Sequence, residues 1–342
     1  MQEHDSNFRP AWWLPGAHLQ TVWGSLARSS RGKAYSREVL PTPDHDELLL
    51  DHLEGPAGSP RVVLLHGLEG SSYSVYVQGL LAGIARRGWR ATALNFRSCA
   101  RDPGKLSRMI PNLRPRLYHS GETEDLDWVL RTLAAREPEA PLTAVGVSLG
   151  GNVLLKWLGE HPDQSFLSAA VALSVPFDLA AGARLFDRGM GRLYGEVFLR
   201  TLRKKAIETA RRFPEAAARI DVEASRRART LREFDEAANA PLHGFRDAED
   251  YYAKASSIGY LALIRTPSLC LSAEDDPFLP AEVLPRAKAT ASPSLELVTT
   301  RFGGHIGFVG GSLPGRARFF AEELAVEWLG EKFRNSSGRA AV

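Results

Sequence analysis

Two cysteines in 342 residues, Cys99 and Cys270, are too few for a disulfide framework and lack the spacing of a zinc site. No apolar run approaches the ~20 residues of a membrane-spanning helix. The opening stretch, Met1–Pro10, is polar and has no apolar core of a signal peptide. Charge of one sign is also missing: 43 Lys plus Arg face 40 Asp plus Glu, a net +3, which does not favour a nucleic-acid partner. Walker loops, dinucleotide fingerprints and metal-ligand spacings are absent, so neither a cofactor nor a metal is implied. What remains, 44% hydrophobic and 24% charged residues, is the composition of a globular enzyme, expected in the cytoplasm. A single core stops growing at about 250–300 residues, which predicts a large domain with an insertion or two domains.

The apolar runs are short and rich in Val, Leu and Ala. Arg61–Gly67, Arg90–Phe96, Leu142–Ser148, Ala169–Pro176, Ser268–Ala273 and Leu295–Thr300 read as strands. Continuous apolar runs, without alternation, are the pattern of strands buried on both faces. Arg37–Leu40 and Leu48–Leu53 could add edge strands. Helical stretches lie between them, at Tyr76–Arg87, Glu122–Arg136, Leu149–Glu160, Ala281–Thr290 and Ala317–Phe333, with Ser120 as an N-cap for the second. The fold class is therefore α/β, with a mostly parallel central sheet and helices on both faces.

From Phe177 to about Tyr260 no strand run appears, and Arg, Ala, Glu and Leu predict a helical insertion. The expected division is an N-terminal arm at 1–36, a core formed by 37–176 and 261–334, and a helical cap at 177–260. Within the cap, Arg200–Arg232 carries eleven Lys or Arg against four acidic residues, a local +7. That run is either a solvated face or an approach surface for anionic lipid headgroups. Trp12 and Trp13 read as packing of the arm over the sheet, with a membrane anchor as the alternative.

Gly146-Val147-Ser148-Leu149-Gly150 is a G-x-S-x-G motif. Alone it could be an ordinary glycine-rich turn, but a strand run ends and a helical pattern begins at Ser148, the setting of a nucleophile elbow. A hydroxyl needs a base within hydrogen-bond reach. Among nine histidines, His305 in Gly303-Gly304-His305-Ile306-Gly307 follows the last strand run and is the candidate; His66 also ends a strand run, but directly before Gly67. The base needs a carboxylate, and Ser272-Ala273-Glu274-Asp275-Asp276 follows the penultimate strand run. Asp276 and Asp275 are both admissible by spacing, with Asp276 favoured. An oxyanion hole needs two donors, nominating the backbone N–H groups of Leu149 and of Leu68 in His66-Gly67-Leu68-Glu69-Gly70. Glu69 would oppose an oxyanion unless its carboxylate turned away. Cys99 has no base near it in sequence and reads as a buried hydrophobe.

The order Ser148…Asp276…His305 is that of α/β-hydrolases. Over nearly its whole length the chain resembles the YheT-like branch of that superfamily, which includes abhydrolase-domain esterases and phospholipases. The resemblance rests on Pro15–Thr21, His66–Ser71, Tyr118–Asp125, Gly146–Asn152, Arg232–Asp235, Asp250–Tyr252, Asp275–Phe278 and Gly303–Phe308. It implies the α/β-hydrolase fold, with Ser148, Asp276 and His305 as nucleophile, acid and base. The chain departs from the family after Phe96-Arg97, where Ser98-Cys99-Ala100-Arg101 replaces a glycine-rich stretch, expected to reshape one pocket wall. Residues and resemblance together predict a serine hydrolase acting on short- to medium-chain acyl esters. The alternatives are a lipase, phospholipase or acyltransferase working on acyl lipids, with peripheral contact to an anionic membrane, and a binding protein that kept only the fold.

Overall fold

The computed structural model describes residues 8–28 and 35–339. Eight strands form one sheet: β1 (Ser36–Pro41), β2 (Glu47–Leu53), β3 (Arg61–Leu65), β4 (Arg90–Asn95), β5 (Leu142–Val147), β6 (Leu167–Leu173), β7 (Ser268–Ala273) and β8 (Leu295–Thr300). Their spatial order is β1-β2-β4-β3-β5-β6-β7-β8, with only the β1–β2 and β2–β4 pairings antiparallel. Every residue of β3, β4, β5 and β7 is buried. Successive residues serve opposite faces: Val63 and Leu65 join the core beneath one helical layer, Val62 and Leu64 the core beneath the other.

Helices α1 (Ala17–Ala27), α2 (Val75–Arg86), α3 (Glu124–Arg136) and α4 (Leu149–Glu160) precede the β6–β7 connection. The regular elements of that connection are all helical. It contains α5 (Leu179–Leu185), α6 (Gly189–Arg212), several single turns, a π-helical turn at Asp235–Asn239, and α7 (Ala248–Ala255). Asp178, Asp221, Thr230 and Asp247 each cap a segment by accepting a backbone N–H from three residues on. Helices α8 (Val283–Thr290) and α9 (Phe320–Arg339) complete the chain, with α3, α4 and α8 on one face of the sheet and α2 and α9 on the other.

Several expectations need correcting. Helix α3 starts at Glu124, so Ser120 is not its cap; Ser120 lies in a turn where its N–H donates to the Tyr251 hydroxyl. Arg318–Phe319 pairs with Val309–Gly310 instead of joining the last helix. Trp12 and Trp13 do not lie over the sheet. Their indole N–H groups bond to Ser312 O and Gly311 O, and Trp13 packs edge-on against Trp23 of α1. Residues 1–7 and 29–34 of the expected arm lie outside the described residues.

The topology locates a site. From β3 the chain goes to β4 on one side and then to β5 on the other, so the connections leave in opposite directions at the C-terminal ends of β3 and β5. Open α/β sheets bind ligands in the crevice at such a reversal. Gly67 and Ser148 sit there.

Candidate active site

Ser148 occupies the turn between β5 and α4 with φ 54° and ψ −119°, backbone values that a residue with a side chain rarely adopts. Glycine makes the turn sterically feasible. A Cβ on Gly146 would sit 2.4 Å from Gly150 O, and one on Gly150 would sit 2.6 Å from His66 O. Buried Asn152, one turn into α4, fastens the helix by donating to Ser120 O and Ala255 O and accepting from Ser257 N–H.

The Ser148 Oγ lies 2.9 Å from His305 Nε2. On the other side of the ring, Nδ1 is 2.8 Å from Asp276 Oδ2 and 3.1 Å from Oδ1. Ionised Asp276 can only accept, so Nδ1 carries the proton and Nε2 is free to accept from the serine hydroxyl. Asp276 is held by the Phe278 N–H. The His305 backbone is held by its neighbours: its N–H donates to Thr21 of α1, and the Ile306 N–H donates to Ser174. Asp275 turns elsewhere and accepts from Gly304 N–H at 2.8 Å.

The rival histidine, His66, is buried and structural. Its Nδ1–H donates to Gly67 O and its Nε2 accepts from Phe96 N–H, while burial pushes its pKa down to about 4. Beside Ser148 and His305 opens a cavity of about 650 Å3. Leu68 and Leu149 line it beside Ser148, and among the described residues neither backbone N–H donates to a protein acceptor. Phe186, Tyr194, Val197 and Phe198 close it from the helical connection, and Leu26 of α1 adds to the wall. No residue between Tyr76 and Leu117 lines it, so the divergent stretch after Arg97 does not shape its wall.

Sequence reasoning missed α1, whose Thr21 reaches the candidate base, and it missed Lys205. The Lys205 Nζ donates to Glu69 Oε1 at 2.7 Å and to Cys99 Sγ at 3.1 Å. Cys99 therefore has a cation beside it, although burial pushes its thiol up to about 11. The Glu69 carboxylate is engaged by Lys205 and by the Tyr118 hydroxyl. Lys205 sits in a run of basic residues that gave no hint of a buried one.

Residues 60–312 match the family model described as the alpha/beta hydrolase fold. The chain is 36% identical to "Putative esterase YheT" of Escherichia coli (strain K12) over 327 residues, covering 95% of this chain and 93% of that protein. It is 30% identical to "Phospholipase ABHD3" of Mus musculus, covering 93% of this chain and 78% of that one. Among solved structures, the Pyrococcus furiosus esterase Pf2001 superposes with a TM-score of 0.56 at 18% identity, over 88% of this chain and 91% of that one. By the family model and by its identity to these two relatives, the chain belongs to the α/β-hydrolase family, in the branch that holds YheT and ABHD3.

Proposed function

We propose that this protein is a carboxylic ester hydrolase that works through an acyl-enzyme on Ser148. The observation that carries the reading is the continuous relay of Ser148 Oγ, His305 and Asp276 at 2.9 and 2.8 Å. The hydroxyl oxygen attacks the ester carbonyl while His305 Nε2 takes its proton. The N–H groups of Leu68 and Leu149 receive the oxyanion. On collapse the C–O bond to the alcohol breaks, His305 returns the proton to the departing alkoxide, and an acyl-serine remains. Water, deprotonated by His305, then attacks the acyl carbon, and the Ser148 Oγ–C bond breaks as His305 returns the proton to Oγ, releasing the acid. Asp276 keeps the imidazole in the productive tautomer throughout.

In this reading residues 177–260 are a cap over a core made of 37–176 and 261–334, with 1–36 as an arm. The apolar cap lining suits a short- to medium-chain acyl group. Two buried free cysteines suit a reducing compartment, which fits the cytoplasm. Fluorophosphonate labelling tests the mechanism: the wild type should label, and Ser148→Ala should not. Turnover of p-nitrophenyl esters from C2 to C16 reads the chain length. A wild type that neither labels nor turns over any ester would overturn the proposal.

One observation favours action on acyl lipids at a membrane. Met190, Leu193 and Val197 of α6 are exposed, as is Leu26 of α1, and Val197 and Leu26 also line the cavity. Arg188, Arg192 and Arg200 of the same segment are also exposed. Exposed apolar residues at a cavity wall, with arginines exposed in the same segment, suit an anionic bilayer surface. Equal sedimentation with anionic and neutral vesicles at low salt would reject this second reading.

A further inference from the structure

Helix α6 sends a cation down to the loop that follows β3. Lys205 is buried, and its Nζ bonds Glu69 Oε1 at 2.7 Å across 136 positions of sequence. Glu69 adopts φ 56°, a left-handed conformation that a residue with a side chain keeps only when its surroundings impose it. Two groups impose it. The Tyr118 hydroxyl accepts from the Glu69 N–H and donates to Glu69 Oε1, both at 2.8 Å, and Lys205 donates to that same oxygen. Tyr118 is fixed in turn by stacking on Phe96 at 5.5 Å. Among the described residues the other carboxylate oxygen, Oε2, is buried without a partner, and the cation paired with this carboxylate is Lys205.

Glu69 directly follows Leu68, one of the two residues whose N–H groups are assigned above to the oxyanion. A lone carboxylate on the residue next to that donor would repel the charge that the transition state develops. We propose that Lys205 is a positioning residue for the oxyanion hole. Through Glu69 it ties α6 to the Leu68 loop, fixes that loop's strained conformation, and cancels the nearby negative charge. Seating of the helix and readiness of the oxyanion hole are thereby one event. The inference rests on the ester-hydrolase reading.

The test compares four proteins on p-nitrophenyl butyrate and against a trifluoromethyl ketone, whose hemiketal oxygen occupies the oxyanion position. Lys205→Met strands a buried carboxylate and should lower kcat on the order of 100-fold, the scale of losing one oxyanion donor. Lys205→Met combined with Glu69→Gln leaves no lone charge and should lower kcat on the order of tenfold, because the tie is still gone. Tyr118→Phe removes one oxygen but keeps the stacked ring and the Lys205–Glu69 ion pair, and should lower kcat less than the double variant does. In each, KM should stay within about threefold while ketone affinity falls in step with kcat. Should Lys205→Met fail to fold, the double variant decides. Raised KM with unchanged kcat, or unchanged ketone affinity, would overturn the role of Lys205. A wild type inert to both ester and ketone would instead overturn the ester-hydrolase reading.

Discussion

The His305 Nδ1 faces both oxygens of Asp276, at 2.8 and 3.1 Å, while the adjacent carboxylate of Asp275 accepts from a backbone N–H of the same glycine loop. Two neighbouring aspartates thus serve the histidine in different ways, one through its ring and the other through the main chain of the preceding residue, Gly304. Asp276→Asn should lower kcat by about 10³–10⁴-fold by favouring the wrong imidazole tautomer. Asp275→Asn should cost far less, since Gly304 N–H can still donate to the amide oxygen. Steady-state kinetics on one short ester ranks them, and a reversed ranking would move the acid to Asp275.

Ser148→Ala should abolish turnover and leave the fold unchanged, because it removes one oxygen at an elbow held by glycines and by Asn152. His305→Ala should be nearly as severe, and combining the two should add almost nothing, since triad members act as a unit. Circular dichroism alongside the kinetics separates lost chemistry from lost structure.

Gly150→Ala should destabilise by more than about 3 kcal/mol, as its Cβ would meet His66 O at 2.6 Å and Leu65 O at 2.7 Å with no side chain available to yield. Urea unfolding measures it. An unshifted midpoint would mean that α4 can retreat from β3.

Acid should weaken the fold through its buried histidines. Burial pushes His66 down to about 4 and His119 to about 3, from an ordinary value near 6.5. Below pH 6.5 the unfolded chain binds protons that the folded chain refuses, so stability falls as pH drops. Between pH 6.5 and 5 each such histidine costs about 2 kcal/mol. Asp235, pushed up to about 6 by burial, acts in the opposite direction. The comparison of wild type with His119→Asn cancels that effect. Urea midpoints at pH 7, 6 and 5 should show the variant losing about 2 kcal/mol less. Parallel curves would contradict the assignment.

The parts of this molecule written in local sequence were readable in advance. Each core strand announces itself because both its faces are covered, so its residues form an unbroken apolar run. Ser148, Asp276 and His305 each follow a strand, β5, β7 and β8, and the structure brings them together. What escaped detection depends on contacts between distant segments. Helix α1 has one buried residue, Gln20, and its glycine-preceded start carries no capping side chain. Lys205 looks like its basic neighbours, and only burial against Glu69 sets it apart. Helix α3 carries acidic residues both before and inside its first turn, so composition could not fix its start.

The bond from His305 N–H to Thr21 closes a loop spanning 284 positions. Contacts so far apart in sequence form late, because the chain between them must be ordered first. On the ribosome, Ser148 and its elbow emerge while the base that would activate them is still unsynthesised. On the proposed mechanism a nascent chain would carry an inert hydroxyl, and reactivity would arrive only when the two ends of the fold meet.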